Sequence, residues 1–285
     1  MEAGRHRLDC TERALLMGVL NVTPDSFFDG GLYQTEAGAV ARAKQMVEEG
    51  VDVIDIGAES SRPGSEPISE SEELKRLIPI VEALHQVVSV PLSVDTTKSG
   101  VARRAIEAGA SIVNDISAMT FDPDMARVVA ESGAGIVLMH MQGVPRTMQR
   151  APRYDDVVGE VRSFLGGRIE TAVGAGISRK QIMLDPGIGF GKLLEHNLTL
   201  LAHLETFTQL GRPLLVGLSR KGFLGQLLHQ PVGERLFGTA AAAALAVQQG
   251  ATILRVHDVG PMRDVIRTVT AIMRCGEHIQ RGAHA

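Results

Sequence analysis

Met183-Leu184-Asp185-Pro186-Gly187-Ile188-Gly189-Phe190-Gly191-Lys192 reads as a strand that ends in a carboxylate at the mouth of a glycine-rich turn, with a helix to follow. Glycine enters positive φ without steric penalty and lets backbone approach a ligand closely. A carboxylate placed there accepts two N–H bonds from one flat heterocycle, and such charge-assisted pairs are the stronger class of hydrogen bond. Alone, the stretch reads equally well as a strand end closed by an Asp turn. Its weight comes from repetition, because the same strand, polar loop and helix recur along the chain.

Short apolar runs fall at 15–20, 51–56, 91–94, 111–114, 135–139, 181–184, 213–217 and 252–256. Segments with helical apolar spacing follow them at 35–49, 69–88, 99–108, 123–132, 154–175, 197–209, 234–249 and 261–275. Gly50, Gly109 and Gly250 each stand where a helix ends before the next strand, the expected C-cap position. Strict βα alternation gives a parallel sheet. Eight units favour closure over an open sheet, so the expected fold is α/β, a single-domain (β/α)8 TIM barrel over residues 14–285. Residues 1–13 are expected to form an N-terminal tail. No composition break marks a second domain, and the run from Ala240 to Ala244 is explained by a helix packed closely on the barrel.

Composition narrows the function. Of 285 residues 44% are apolar, enough for a large core, and barrels of about 250 residues are common as one domain. The formal net charge of −4 leaves no basic footprint for nucleic acid, although a small anionic substrate stays compatible with it. Cys10 and Cys275 lie far apart with no metal-like spacing, which argues for a reducing compartment. No stretch reaches the roughly 18–20 apolar residues of a membrane span, and no signal-peptide core appears. A cytoplasmic protein without membrane or nucleic-acid partners is expected.

The loops are unequal. Those before strands are short, whereas 21–31, 60–67, 140–153, 186–192 and 219–223, all after strands, are long, polar and rich in Gly and Pro. In such barrels the catalytic face is built from loops after strands. Polar residues gather there: Asn21, Asp55, Ser61, Arg62, Asp95, Asn114, Asp115, His140, Asp185, Ser219, Arg220, Lys221, Arg255 and His257. Carboxylates and amides suit a ring rich in N–H and C=O groups. Arg62, Lys221, Arg255 and His257 suit a phosphate, and a planar guanidinium such as that of Arg255 also stacks on flat rings.

Several of these have a plainer reading. Asp55 is either a structural acid below the site or a ligand contact. Asp115 fits a cap on the following turn better than catalysis, since Asp satisfies nearby backbone readily. Asp25 and Asp29 read as turn residues, and His140 as a satisfied buried histidine. Arg220 is expected to pair structurally, pointing opposite to Ser219 and Lys221. Lys192 is either a surface helix residue or part of the site. No HExxH, CxxC, GxSxG or GxGxxG occurs, which speaks against tightly held zinc, a serine hydrolase and a dinucleotide fold. Mg²⁺ shared with a diphosphate needs only one or two protein oxygens, for which Asn21 suffices.

Jointly, seven motifs resemble the dihydropteroate synthase family of bacterial folate synthesis. They are Met17-Gly18-Val19-Leu20-Asn21-Val22-Thr23-Pro24-Asp25-Ser26-Phe27, Glu59-Ser60-Ser61-Arg62-Pro63-Gly64, Ser93-Val94-Asp95-Thr96, Val113-Asn114-Asp115-Ile116, Leu184-Asp185-Pro186-Gly187, Ser219-Arg220-Lys221 and Arg255-Val256-His257-Asp258. The resemblance spans residues 15–273 and implies a (β/α)8 barrel that assembles as a homodimer. It implies condensation of 6-hydroxymethyl-7,8-dihydropterin diphosphate with 4-aminobenzoate, the latter mimicked by sulfonamides, and a requirement for Mg²⁺. By that similarity Asp95, Asn114, Asp185 and Lys221 hold the pterin, with Met139 on its face. Arg255 stacks on the ring and reaches the diphosphate with Asn21 and His257. Asn21 contacts Mg²⁺, and Ser61, Arg62, Phe190 and Ser219 shape the aminobenzoate site. Asp95, Arg255, Lys221 and Asn21 are the expected catalytic set. Ser61, Phe28 and Ile188 depart from the family's usual Thr, Ser and Phe, and none removes a charge or donor that the chemistry needs.

The expected mechanism is dissociative: diphosphate leaves first and the arylamine attacks a resonance-stabilised cation. The loops at 21–31 and 60–67 are expected to close over diphosphate and complete the aminobenzoate pocket. Two rivals remain at this stage, a pterin-dependent methyltransferase working with a corrinoid partner and a silent pterin-binding paralogue. The Thr23-Pro24-Asp25-Ser26 loop and the surplus of cations favour the synthase.

Overall fold

The computed structural model describes residues 1–22 and 36–282. Thr23, Pro24, Asp25, Ser26, Phe27, Phe28 and Asp29, with the closure expected of the loop they belong to, lie outside the described residues. In chain order the strands are β1 (Glu2–Ala3), β2 (His6–Arg7), β3 (Leu15–Asn21), β4 (Val53–Gly57), β5 (Leu92–Asp95), β6 (Ile112–Asp115), β7 (Gly135–Met139), β8 (Ile182–Asp185), β9 (Leu215–Gly217) and β10 (Ile253–Val256). The helices are α1 (Glu36–Glu49), α2 (Glu70–Val87), α3 (Ser99–Glu107), α4 (Met125–Ser132), α5 (Val157–Gly174), α6 (Leu194–Ala202), α7 (Glu205–Thr208), α8 (Gly222–Leu228), α9 (Leu236–Gln248) and α10 (Val259–Gly282).

Strands β3 to β10 form one parallel sheet in the order β8-β7-β6-β5-β4-β3-β10-β9. A parallel bridge between Leu184 and Leu214 joins its two ends, with the Leu184 N–H donating to the Pro213 carbonyl at 2.9 Å. The sheet is thus a closed (β/α)8 barrel, as the alternation in sequence requires.

Alternation along each strand sorts the side chains into two cores. Ile54, Ile56, Val94, Val113, Ile136 and Leu138 face outward and pack under the helices. Leu15, Met17, Val53, Ile112, Val137, Met183, Leu215 and Ile253 face inward and fill the barrel's lower half. The register then carries the next inward positions upward into polar chemistry: Val19 pairs with Asp55, Asp55 with Ser93, Gly57 with Asp95, Asp95 with Asn114, and Met139 with Asp185. A dry floor under a polar rim follows directly from which residue types occupy alternate positions of each strand.

Residues 1–13, read from sequence as a tail, contain the antiparallel hairpin β1–β2. It lies against the lower mouth, where Gly4 N–H donates to the Gly133 carbonyl at 3.1 Å, and Ala3 and Leu8 join the inward core. Met1 and Cys10 pack on it as well, but these apolar residues are scattered and their partners are distant in sequence, so local pattern did not reveal the burial. Three other differences concern helices. The segment at 197–209 splits into α6 and α7 where His203 leaves helical geometry, with φ −126° and ψ 29°. The loop at 219–223 gives way to α8 at Gly222, and α10 continues past Cys275 to Gly282. Among the described residues no helix is long and apolar enough to cross a membrane.

Candidate active site at the carboxyl rim

β3, β4, β5 and β10 deliver Asn21, Asp55, Asp95 and Arg255 to one place. Arg255 Nε donates to Asp55 Oδ2 at 2.7 Å and its Nη2 to Asp95 Oδ2 at 2.9 Å. Asp55 also accepts from Asn114 Nδ2 at 3.1 Å and is fully buried, while its Oδ1 has no hydrogen-bond partner among the described residues. Two carboxylates thus face one guanidinium, and Asp95 is the one at the open side. Burial pushes the Asp95 carboxyl up to about 7 against the pull of Arg255, with Asp55 adding to the rise. For Arg255 burial works against the charge, and the two carboxylates more than offset it, so its pKa goes up.

Gly57 supplies the space between Asn21 and Asp95. A Cβ at that inward position would sit 3.6 Å from both Asn21 Oδ1 and Asp95 Cβ. Gly217 does the same opposite, 3.5 Å from Lys221 Nζ and 3.9 Å from Arg255 Cβ. Any side chain at either position would narrow the mouth where a flat ring has to enter.

Lys221 enters as the residue before α8. Its ammonium donates to the Ile188 carbonyl and lies 4.6 Å from the centroid of the Phe190 ring, a cation–π distance. Burial lowers its pKa to about 8, Asp185 holds it up, and Arg255 lowers it further. Asp185 is buried, its Oδ1 accepting the Gly187 N–H at 2.7 Å. Burial raises its pKa, and Lys221 opposes the rise. The acids and cations expected at one rim are therefore within mutual reach, and Met139 pairs with Asp185 in the sheet, next to them.

Ser219 and His257 form a second pair. The Ser219 hydroxyl accepts the His257 backbone N–H at 3.2 Å and lies 3.0 Å from His257 Nδ1. Burial, and then Arg255 and Arg220, push the His257 pKa down to about 3. His257 thus offers an N–H to an anion in its neutral form. Arg220 pairs with Asp258 through bonds of 3.1 and 2.7 Å, the structural role expected of it. Asp115 likewise caps its turn, accepting from Ser117 N–H and Oγ and from Met119 N–H at 2.6–2.8 Å.

Ser61 and Arg62 sit on the loop after β4, Arg62 exposed. Ser61 and Asp95 border the same cavity of about 410 Å³, whose walls include Pro67, Ile116, Phe121 and Pro145. This loop is held across the mouth by Gly64 N–H donating to the Pro145 carbonyl at 3.1 Å and by Glu66 lying 3.7 Å from Arg146. Its root is anchored by Lys98, which bonds both Glu59 and the buried Glu73. That anchor was missed in the sequence, where Glu59 is merely the first residue of a motif and Glu73 reads as part of a helix face.

Among the described residues no group of three or more His, Cys, Asp and Glu stands ready for a metal ion. A divalent cation shared with a diphosphate needs far less, because Mg²⁺ takes most of its ligands from phosphates and water. The Asn21 side-chain carbonyl, at the rim beside Asp95, fits that requirement.

A family model described as pterin binding enzyme matches residues 17–257. The dihydropteroate synthase of Synechocystis sp. is 47% identical over 275 residues, covering 96% of this chain and 95% of the relative. The crystal structure of the Yersinia pestis dihydropteroate synthase with a sulfonamide drug complex superposes with a TM-score of 0.93 at 45% identity, covering 96% of this chain and 99% of that one. The Xanthomonas albilineans dihydropteroate synthase in complex with 7,8-dihydropteroate superposes with a TM-score of 0.83 at 43% identity, covering 93% and 95%.

Proposed function

This chain belongs to the pterin binding enzymes and, within them, to the dihydropteroate synthases, and from that premise we propose how its rim residues divide the work. The reaction joins 6-hydroxymethyl-7,8-dihydropterin diphosphate to 4-aminobenzoate and releases diphosphate and 7,8-dihydropteroate, a step of folate biosynthesis. Asp95, Asn114, Asp185 and Lys221 hold the pterin edge by hydrogen bonds, with Met139 against its face and Arg255 stacked on the ring. Arg255, Asn21 and the His257 N–H face the diphosphate. Ser61, Arg62, Phe190 and Ser219 shape the aminobenzoate subsite, where a sulfonamide competes.

One observation carries the mechanism: Asp55 and Asp95 together outnumber the single Arg255 charge they contact, at 2.7 and 2.9 Å. The trio with both acids ionised has a net charge of −1, and the less buried of its two acids is Asp95. Breaking the C–O bond leaves positive charge on the pterin methylene and ring, and a fixed negative charge beside it lowers that barrier without reorganisation. The step is dissociative. The arylamine, already neutral at pH 7, then attacks the cation, so no strong general base is required. Asn21 would hold Mg²⁺ at this rim, and the ion would supply neutralisation of the leaving group's charge.

The same reading extends to the assembly and its setting. The chain works as a homodimer, supported by Phe237 and Leu245 on α9 and Ile272 on α10, exposed by 87%, 62% and 67%. It works in the cytoplasm, supported by two unpaired cysteines, Cys10 and Cys275. Residues 14–285 act as one barrel domain, with the N-terminal segment as its floor.

Turnover of the pterin diphosphate with 4-aminobenzoate, measured as diphosphate release with and without Mg²⁺, tests the proposal. Full release in excess chelator would remove Mg²⁺ and the metal role of Asn21 from the account. Loss of the methyl group from a folate methyl donor, with no diphosphate released from the pterin ester, would favour the methyltransferase.

A further inference from the structure

Lys192 is the most deeply buried lysine near the site, 3% exposed, and the mechanism above does not use it. Its ammonium lies 3.0 Å from His140 Nδ1 and donates to the His140 carbonyl at 3.3 Å and to the Phe190 carbonyl at 3.0 Å. His140 closes β7, and Phe190 belongs to the loop after β8. The lysine therefore ties two adjacent strand ends together from beneath.

His140 is a rigid post for this tie. Its ring meets Phe164 edge-on at 4.9 Å and Tyr154 at 6.0 Å, and burial, then the Lys192 charge, lower its pKa to about 3. It is neutral, and its Nδ1 is free to accept. The loop comes so near this post that a Cβ on Gly187 would overlap the His140 carbonyl oxygen. On the other side of the same loop, the Phe190 ring carries the Lys221 ammonium at 4.6 Å. Removing Lys192 leaves two buried carbonyls and a ring nitrogen without their donor, and buried polar groups left unsatisfied are costly. The loop relieves that cost by moving, and Phe190 moves with it.

We propose that Lys192 is a positioning residue, which fixes the Phe190 ring as a wall of the aminobenzoate subsite by pinning the loop after β8 to the end of β7. The inference rests on the assignment of Phe190 to that subsite and adds the group that holds it there. Lys192 touches neither substrate. Its effect is expected mainly on the second substrate: Asp95 and Asn114 sit on other strands, and Asp185 and Lys221, although they bond Gly187 and Ile188 of this loop, are carried by β8 and by the segment before α8.

The test is steady-state kinetics of Lys192→Met, Phe190→Ala and the double variant, with direct titration of the pterin diphosphate by calorimetry. Lys192→Met is expected to raise KM for 4-aminobenzoate at least tenfold while pterin diphosphate affinity changes less than about threefold. The double variant is expected to resemble Phe190→Ala, because both changes act through one ring. Equal losses for both substrates, or effects that multiply in the double variant, would overturn the proposal. If Lys192→Met does not fold, His140→Gln serves, since it keeps the carbonyl contacts and alters the ring acceptor. It is expected to raise the same KM about threefold, and an unchanged KM overturns the proposal. Phe190→Ala without any effect on KM would instead sink the subsite assignment itself.

Discussion

Asp95→Asn keeps the shape of the side chain and removes one negative charge beside the bond that breaks. In the structure this turns a trio of two acids and one guanidinium into a neutral Asp55–Arg255 pair. A unit charge about 4 Å from developing positive charge, at an effective dielectric of about 20, is worth about 4 kcal/mol. Single preorganised contacts in other enzymes contribute about 3–4 kcal/mol to the barrier. At about 1.4 kcal/mol per tenfold, kcat should fall by about 10²–10³. Because the charge matters mainly in the transition state, KM for 4-aminobenzoate should change less than about threefold. The assay is continuous diphosphate release at saturating substrates, with circular dichroism to show that the variant is folded. A folded Asp95→Asn enzyme with kcat within fivefold of the parent would refute the electrostatic argument, whatever happened to its affinities.

Two further outcomes follow from the same geometry. Activity requires Asp95 as carboxylate and Lys221 as ammonium, and burial brings their pKa values to about 7 and about 8. The profile of kcat/KM should rise as pH approaches 7 and fall above 8, and Lys221→Arg should lose the alkaline fall, because arginine does not titrate there; a fall that persists in this variant would show that another group causes it. Gly187 has φ +70°, and a Cβ there overlaps the His140 carbonyl. Gly187→Ala should lose about 3 kcal/mol, adding the left-handed penalty to a forced backbone shift, and lower Tm by about 5 °C in calorimetry; an unchanged Tm would show that the loop adapts freely.

The barrel was legible because its signal is local and repeated. A strand such as Gly135–Met139 was delimited to the residue by its apolar run and by the Gly and His at its edges. The hairpin at residues 2–7 was not legible, because it is polar and its partner is the barrel floor, assembled from seven separate strands. Helix α8 escaped because it spans only seven residues, two of them glycines, too few for a periodic signal. The site was legible as residue types at strand ends, and period two set Arg220 opposite to Ser219 and Lys221. Their ionisation was not legible. His257 looks cationic in sequence and is neutral in the structure, because burial and two neighbouring arginines act on it. Asp55 stood evenly between two roles until Arg255 and Asn114 were seen to occupy its Oδ2. Lys192 was undecided for a similar reason: the loop curls back under β7, and nothing in the adjacent sequence predicts that return.

Calorimetric binding of two ligands, the pterin alcohol and its diphosphate ester, to the parent chain, Asp185→Asn and His257→Ala tests most directly whether one rim serves ring and leaving group by separate residues. Asp185→Asn should weaken both ligands by the same factor, at least tenfold, because it acts on the ring they share. His257→Ala should weaken the diphosphate ester alone. Equal losses in both variants for both ligands, or an Asp185→Asn effect confined to the ester, would contradict that division.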